Sequence, residues 1–297
     1  TGLSHARLSI IDLVSGHQPM EKEAGGRTYS IAYNGELYNT EELRTELRAQ
    51  GHSFATTSDT EVILTGCIEY GPDFVKRLNG IFAIAFYDAL HDRVILFRDR
   101  AGVKPLFYTV RGDEILFASE LKGILAVPGI RPKLDRKGLN EVFSIGPART
   151  YGCGVFAGME EVLPGHFLIC SPEGVSSHCY WKLVSLPHED SYEKTIEKTA
   201  FLVQDSIKRQ MVSDVPICTF LSGGVDSSLV SAVCAAELKK QGKKLTTFSF
   251  DFVNNDKYFK ANSFQPSQDR PFVDRMVEFL DSDHHYLECG NTDQADR

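Results

Sequence analysis

The sequence predicts two architectures in one chain: a hairpin-rich α+β domain, then an α/β domain built on a parallel sheet. Three observations carry this. Up to about Trp181, short apolar runs alternate with tight-turn dipeptides and a few helical patterns. Beyond about residue 190, apolar strands alternate with helical stretches, the order that a doubly wound sheet imposes. The length of 297 residues suits two ordinary domains, since one runs to about 100–200 residues.

In the first part, Thr28–Tyr33 is a strand candidate that runs into Asn34-Gly35, a strong tight-turn dipeptide. Asn39 can cap a helix that carries Leu43 and Leu47 and stops at Gly51. Ser58-Asp59-Thr60-Glu61 has the form of a capping box before a second helix ending near Gly71. Ile81–Asp88 with Arg93–Arg98, and Leu106–Val110 with Glu114–Ala118, read as hairpins. Gly152-Cys153-Gly154 with Gly158 lacks dinucleotide spacing and reads as a loop. Leu183–Glu189 shows no periodicity. Ser191 then caps an amphipathic helix with Ile196, Ala200, Val203 and Ile207 on one side. Val215–Leu221, Leu245–Phe252 and His285–Cys289 are strands, with helices at Ser227–Gln241 and Pro271–Leu280. Asn254–Arg270 is a polar insertion of surface-loop character. Three parallel strands leave an uncovered edge, so the pattern stops mid-domain at Arg297.

Composition narrows the class. The chain is 42% hydrophobic and 24% charged, a globular profile. A net charge of -8 and a pI near 5.6 argue against nucleic acid as a partner. The longest apolar run, Ile81–Phe86, is too short to span a bilayer, and Thr1–His5 has no signal-peptide character. Seven cysteines form no close pair and read as reduced thiols of a cytoplasmic protein. His284-His285 lacks metal-ligand spacing and reads as structural.

The most informative stretch is Ser222-Gly223-Gly224-Val225-Asp226-Ser227-Ser228. It follows a buried strand and opens a helix, where free N–H groups and the positive helix end favour an anion. The glycines let the backbone approach an oxyanion. The serines add hydroxyls, and Asp226 offers a hard oxygen to Mg²⁺. No Walker lysine accompanies the loop, which suits the binding and release of pyrophosphate.

SGGVDSS, preceded by Leu221, resembles the pyrophosphate loop of the N-type ATP pyrophosphatases. Four stretches of the first domain narrow the likeness: His5–Asp12, Tyr33–Asn39, Ser58–Ile63 and Arg98–Leu106. With Phe117–Lys122 and Leu163–His166, they resemble in order the class II glutamine amidotransferase half of the glutamine-hydrolysing asparagine synthetases. The resemblance covers nearly the whole chain. It implies an α+β N-terminal-nucleophile amidotransferase domain over residues 1–183, with stacked antiparallel sheets flanked by helices. The start of an α/β ATP pyrophosphatase domain then follows over 191–297.

By the same resemblance, Arg7, with Leu8, Ser9, Ile10 and Ile11, clamps the α-carboxylate of glutamine, as a guanidinium fork can. Glu36 and Asp59 receive its α-ammonium, and Asn34 (side-chain amide) and Gly35 (backbone N–H) form the oxyanion hole. Leu221 and Phe250 line an adenine site, completing an ATP site with Ser222 to Ser228, and Asp226 holds Mg²⁺. The implied reaction is AMP-forming amidation of aspartate through β-aspartyl-AMP, driven by ATP and fed by ammonia from glutamine. The implied partners are those small molecules, with no nucleic acid and no membrane; a homodimer is allowed. The family's nucleophile is an N-terminal cysteine whose amino group acts as base, whereas this chain begins Thr1 and has no cysteine before Cys67. The expectation is therefore a fragment truncated at both ends, lacking the first strand, glutaminase activity and the aspartate-binding residues. Alternatives are another glutamine-dependent adenylating ligase, such as a β-lactam synthetase, or a non-catalytic fragment that binds ATP or glutamine.

Overall fold

The structure, a computed structural model, describes residues 1–146, 148–263 and 266–290. Positions 291–297 at the end of the second expected domain, and 264 and 265 within the polar insertion, lie outside the described residues. The chain divides into two units, Thr1–Pro187 and His188–Arg297.

The first unit opens with a hairpin of β1 (Met20–Ala24) and β2 (Arg27–Leu37), followed by helices α1 (Thr40–Ala49) and α2 (Asp59–Tyr70). Next come β3 (Gly80–Asp88), β4 (Arg93–Arg98), β5 (Phe107–Arg111) and β6 (Glu114–Ala118). Short helices α3 (Leu121–Leu125) and α4 (Arg136–Asn140) lead to β7 (Met159–Glu161), β8 (His166–Ser171) and β9 (Gly174–Cys179). These strands form two antiparallel sheets, ordered β1-β2-β3-β4-β8-β9 and β6-β5-β7.

Strand alternation builds the layers. In β3, Phe82, Ile84 and Phe86 join a core with Leu43 and Leu47 of α1 and Ile63 and Leu64 of α2. The intervening Ala83 and Ala85 face the second sheet, packing with Leu96, Leu106 and Leu168. That sheet's far side sets Phe107 and Met159 against Ile124 of α3. The result is helix, sheet, sheet, helix, the stacked arrangement expected.

Asn34-Gly35 makes no turn. Both residues lie inside β2, opposite Ala83 and Phe82, because the strand continues with buried Leu37. The hairpin turn is instead at Gly25 and Gly26, with φ of 57° and 73°, where Ala24 pairs with Arg27. Asn39 precedes α1 without a side-chain cap; its amide is taken by Arg77 O and Asn79 N. The capping box is half-formed. Ser58 accepts from Thr60 N, whereas Glu61 turns to the backbone N–H groups of Ala55 and Thr56.

The second unit carries α5 (Tyr192–Arg209), β10 (Cys218–Phe220), α6 (Val225–Lys240), β11 (Thr246–Phe252), α7 (Asn255–Tyr258), α8 (Arg270–Leu280) and β12 (Asp283–Cys289). Its strands pair in parallel in the order β10-β11-β12. β10 is only three residues long, shorter than its apolar run suggests. Ile207 of α5 packs on Cys234, Leu238 and Leu245, while Ile196 stays 51% exposed. His284 bridges strands: its ring nitrogens meet the hydroxyls of Thr247 and Ser249 at 2.7 and 2.9 Å, a structural role.

Candidate functional site

In the first unit, a cleft of about 410 Å³ is lined by Arg7, Leu8, Ile10, Ile11, Asn34, Gly35, Glu36 and Asp59. Of the residues expected there, Ser9 alone does not line it. Gln18, Thr60 and Lys104 also line it; Thr60 and Lys104 fall in the stretches that carry the family likeness, but none of the three was expected as a site residue.

The segment carrying Arg7 is irregular and is held by polar contacts. The Arg7 guanidinium donates to Ile11 O at 2.5 Å and to Asp12 O at 3.1 Å. Asp12 is buried, and its carboxylate accepts from Ser15 N, Ser15 Oγ and Thr57 N. Burial alone would raise its pKa, but those hydrogen bonds bring it down to about 2. Thr57 N thereby ties the Arg7 segment to the loop before α2. Buried Arg44 fastens that loop from the other side, donating to the carbonyls of Thr56, Thr57 and Ser58.

Asp59 opens α2, 5% exposed, and accepts from Tyr33 Oη at 3.1 Å and Leu37 N at 3.3 Å. Burial lifts its pKa, against the hydrogen bonds that favour the ionised form. Glu36 is pushed up to about 7, first by burial and then by the Asp59 charge, with Lys104 and Arg7 pulling the other way.

Gly35 is required on steric grounds. A Cβ there would meet Ile81 O at 2.1 Å and Phe82 Cα at 2.8 Å. Its N–H direction follows from the ladder. Phe82 gives its N–H to Asp99 and its carbonyl to Asp99 N, so the Gly35–Phe82 pair exchanges no bonds. On the opposite edge of β2, Tyr33 N donates to Gln18 Oε1 and Leu37 N to Asp59. By the two-residue alternation the Gly35 N–H points the same way, between them, on the side that faces the cleft. β1 does not reach this far, because its pairing ends at Met20 opposite Ile31.

In the second unit, a cleft of about 380 Å³ lies at the carboxyl ends of β10 and β11, where open α/β sheets bind ligands. It is lined by Leu221, Ser222 and Phe250 among the expected residues, and by Asp251, Asn255 and Arg270 besides. The remaining loop residues, Gly223, Gly224, Val225, Asp226, Ser227 and Ser228, do not line it; they form the turn from β10 into α6. Gly223 has φ +75°, and a Cβ would meet Phe272 Cβ at 2.7 Å and Val273 N at 3.0 Å. Ser222 Oγ and Ser227 Oγ bond at 2.9 Å, so these hydroxyls hold the turn as well as being available to an anion. Gly224 caps α6 without a side-chain acceptor. Asp226 is exposed on the first helical turn.

Comparisons with known proteins bear on both clefts. Residues 1–181 match the family described as a glutamine amidotransferase domain. The chain belongs to that family. Residues 198–297 match the asparagine synthase family, so the amidotransferase part is joined to an asparagine synthase segment. Asparagine synthetase [glutamine-hydrolyzing] 3 of Bacillus subtilis is 49% identical over 293 residues, covering 98% of this chain and 48% of that relative. Amidase chyE of Penicillium rubens is 34% identical, covering 100% of this chain and 44% of its own length. A putative asparagine synthetase of Methanocaldococcus jannaschii is 33% identical, covering 96% of the chain and 55% of the relative. The amidotransferase chain thus spans about half the length of the curated relatives it matches. Among the described residues, no helix is long and apolar enough to cross a membrane, and no group of three His, Cys, Asp or Glu could hold a metal.

Proposed function

We propose that the intact protein is a glutamine-dependent, AMP-forming asparagine synthetase of the cytoplasm. Residues 1–183 would release ammonia from glutamine, and the domain beginning at 191 would use it on aspartate activated by ATP. The observation that carries the reading is the first cleft. It sets a guanidinium, two carboxylates and an inward N–H of Gly35 around a volume suited to one amino acid. Arg7 takes the α-carboxylate, Glu36 and Asp59 the α-ammonium. Gly35 N–H and the Asn34 amide hold the oxygen that becomes negative as the amide carbon turns tetrahedral. In the second cleft, Leu221 and Phe250 take the adenine, and beside it the turn from Ser222, which lines the cleft, to Ser228 takes the phosphates at the α6 N-terminus. One exposed carboxylate, Asp226, fits Mg²⁺, which keeps waters and leans on one or two carboxylates plus substrate phosphates. The match to asparagine synthetase over both units supports aspartate as acceptor. The amidase match supports a second reading, another glutamine-dependent amide-forming enzyme with a different acceptor.

Arg7→Ala in the intact protein tests the first cleft. Loss of a charge-assisted bidentate contact costs about 2–3 kcal/mol, so the KM for glutamine should rise roughly 30- to 150-fold while ammonia-dependent synthesis continues. An unchanged KM would remove the substrate from this cleft. Aspartate-dependent release of pyrophosphate separates the two acceptor readings.

A further inference from the structure

Within the glutamine cleft just proposed, one cation has no established work. Lys104 lines the cavity beside Glu36 and is half-buried. No hydrogen bond or close ion pair engages its Nζ among the described residues. Its backbone is nevertheless pinned at both peptide groups. Lys104 N donates to Asp99 Oδ2 at 3.0 Å, and Arg98 Nε donates to Lys104 O at 3.0 Å. Asp99 also accepts from Ala101 N and Val103 N, and Arg98 donates to Gly102 O and Val162 O. A loop so heavily fastened delivers a lysine with a free ammonium to a cleft that holds two carboxylates.

We propose that Lys104 is a positioning residue for glutamine: its ammonium balances the Glu36–Asp59 pair, so that Glu36 meets the substrate's α-ammonium as a carboxylate. The charge count supports this. Within the cleft stand Arg7 and Lys104 against Glu36 and Asp59, a neutral set for a zwitterion. Glu120 lines the cleft as well, but it is exposed and occupied by Lys122 at 2.7 Å. Without Lys104 the set carries one excess negative charge, and Glu36, which lacks the hydrogen bonds from Tyr33 Oη and Leu37 N that favour ionised Asp59, is where a proton would land. A protonated Glu36 offers no charge to an ammonium. Glu36 is already pushed up to about 7, by burial first and Asp59 next, and among the cations Lys104 opposes this most, ahead of Arg7. The other titratable groups nearby are His5 on the Arg7 segment and Tyr33 and Tyr38 on or just past β2.

The test is the pH profile of kcat/KM for glutamine in the intact protein, for wild type, Lys104→Met and Lys104→Arg. That quantity reports the ionisation of the free enzyme. Lys104→Met should move the acidic limb about one unit to higher pH, which lowers kcat/KM about tenfold on that limb, with the loss shrinking as pH rises. Lys104→Arg should restore the wild-type limb. A limb that stays in place, or a loss of equal size at every pH, overturns the proposal. The proposal rests on the glutamine reading, and Arg7→Ala separates the two failures. If Arg7→Ala raises KM and Lys104→Met leaves the limb unmoved, only the role of Lys104 falls. If neither variant affects glutamine use, the cleft itself is misassigned. Should Lys104→Met melt well below wild type, Lys104→Gln carries the same measurement.

Discussion

Glu36 is where binding and stability pull against each other. Its folded pKa of about 7 lies above the ordinary 4.5, so the fold favours the protonated form. The contribution of Glu36 to stability is therefore complete below about 4.5 and is lost as pH climbs through 7. Glu36→Gln removes the charge that burial and Asp59 oppose. Its thermal midpoint should exceed wild type by roughly 2–4 °C at pH 8, and the gap should narrow towards pH 4.5. Solvent at the half-exposed carboxylate keeps the gain modest. The same variant should bind glutamine worse, since an amide oxygen accepts from an ammonium without the charge that strengthens a carboxylate's hold. Calorimetry across pH checks the first part, and a midpoint below wild type at pH 8 would contradict it. A residue that costs stability and sits in a cleft marks a site shaped for a ligand.

At the scale of elements, Asp99 joins the sheet to the cleft. Its carboxylate, 1% exposed, accepts four backbone N–H groups, from Phe82, Ala101, Val103 and Lys104. It thus satisfies the Phe82 N–H, which strand alternation points away from β2, and it fixes the loop that carries Lys104. Asp99→Ala would leave the buried Phe82 N–H and three part-buried loop N–H groups without their acceptor, the buried one alone worth about 1–3 kcal/mol. Chemical denaturation should register a loss above about 3 kcal/mol, and a loss under 1 would mean the loop re-satisfies itself. The sequence made some of this legible. Apolar alternation gave the hairpins β3–β4 and β5–β6, and glycine, serine and acid on one strand-to-helix turn gave the anion loop. Asn34-Gly35 was misleading because a local dipeptide preference says nothing of the partner strand, and here β3 extends β2 beyond it. β1, β7 and β9 lack long apolar runs, and β7 has only three residues, so pairing across the sheets defines them, whereas β8 carries the apolar run Phe167 to Cys170 and went unassigned. Asp12 and Gln18 act through contacts to residues far along the chain, as with Asp12 and Thr57, and Lys104 meets Glu36 only across the folded cleft, which no spacing reveals.

At the scale of the molecule, one chain joins an antiparallel sandwich to a parallel sheet, each with its own cleft. In the first, the charges suit a zwitterion and a developing oxyanion. In the second, a lysine-free turn at the α6 N-terminus suits a leaving pyrophosphate, and Asp226 is the turn's only carboxylate. If the two clefts do separate chemistry, a change in one should spare the other. Asp226→Asn keeps the size and polarity of the side chain but removes the charge a Mg²⁺ ion needs. In the intact protein it should reduce aspartate-dependent pyrophosphate release by at least about 100-fold, the loss of roughly 2.7 kcal/mol of transition-state stabilisation. Glutamine hydrolysis should remain within about twofold of wild type. The products decide the chemistry: wild type should yield AMP and pyrophosphate in step with asparagine. ADP and phosphate would contradict adenylation and point to a phosphorylated acyl intermediate. Full synthesis by Asp226→Asn would leave adenylation standing and take Asp226 out of the site, while a parallel loss of both activities would mean the clefts are not independent.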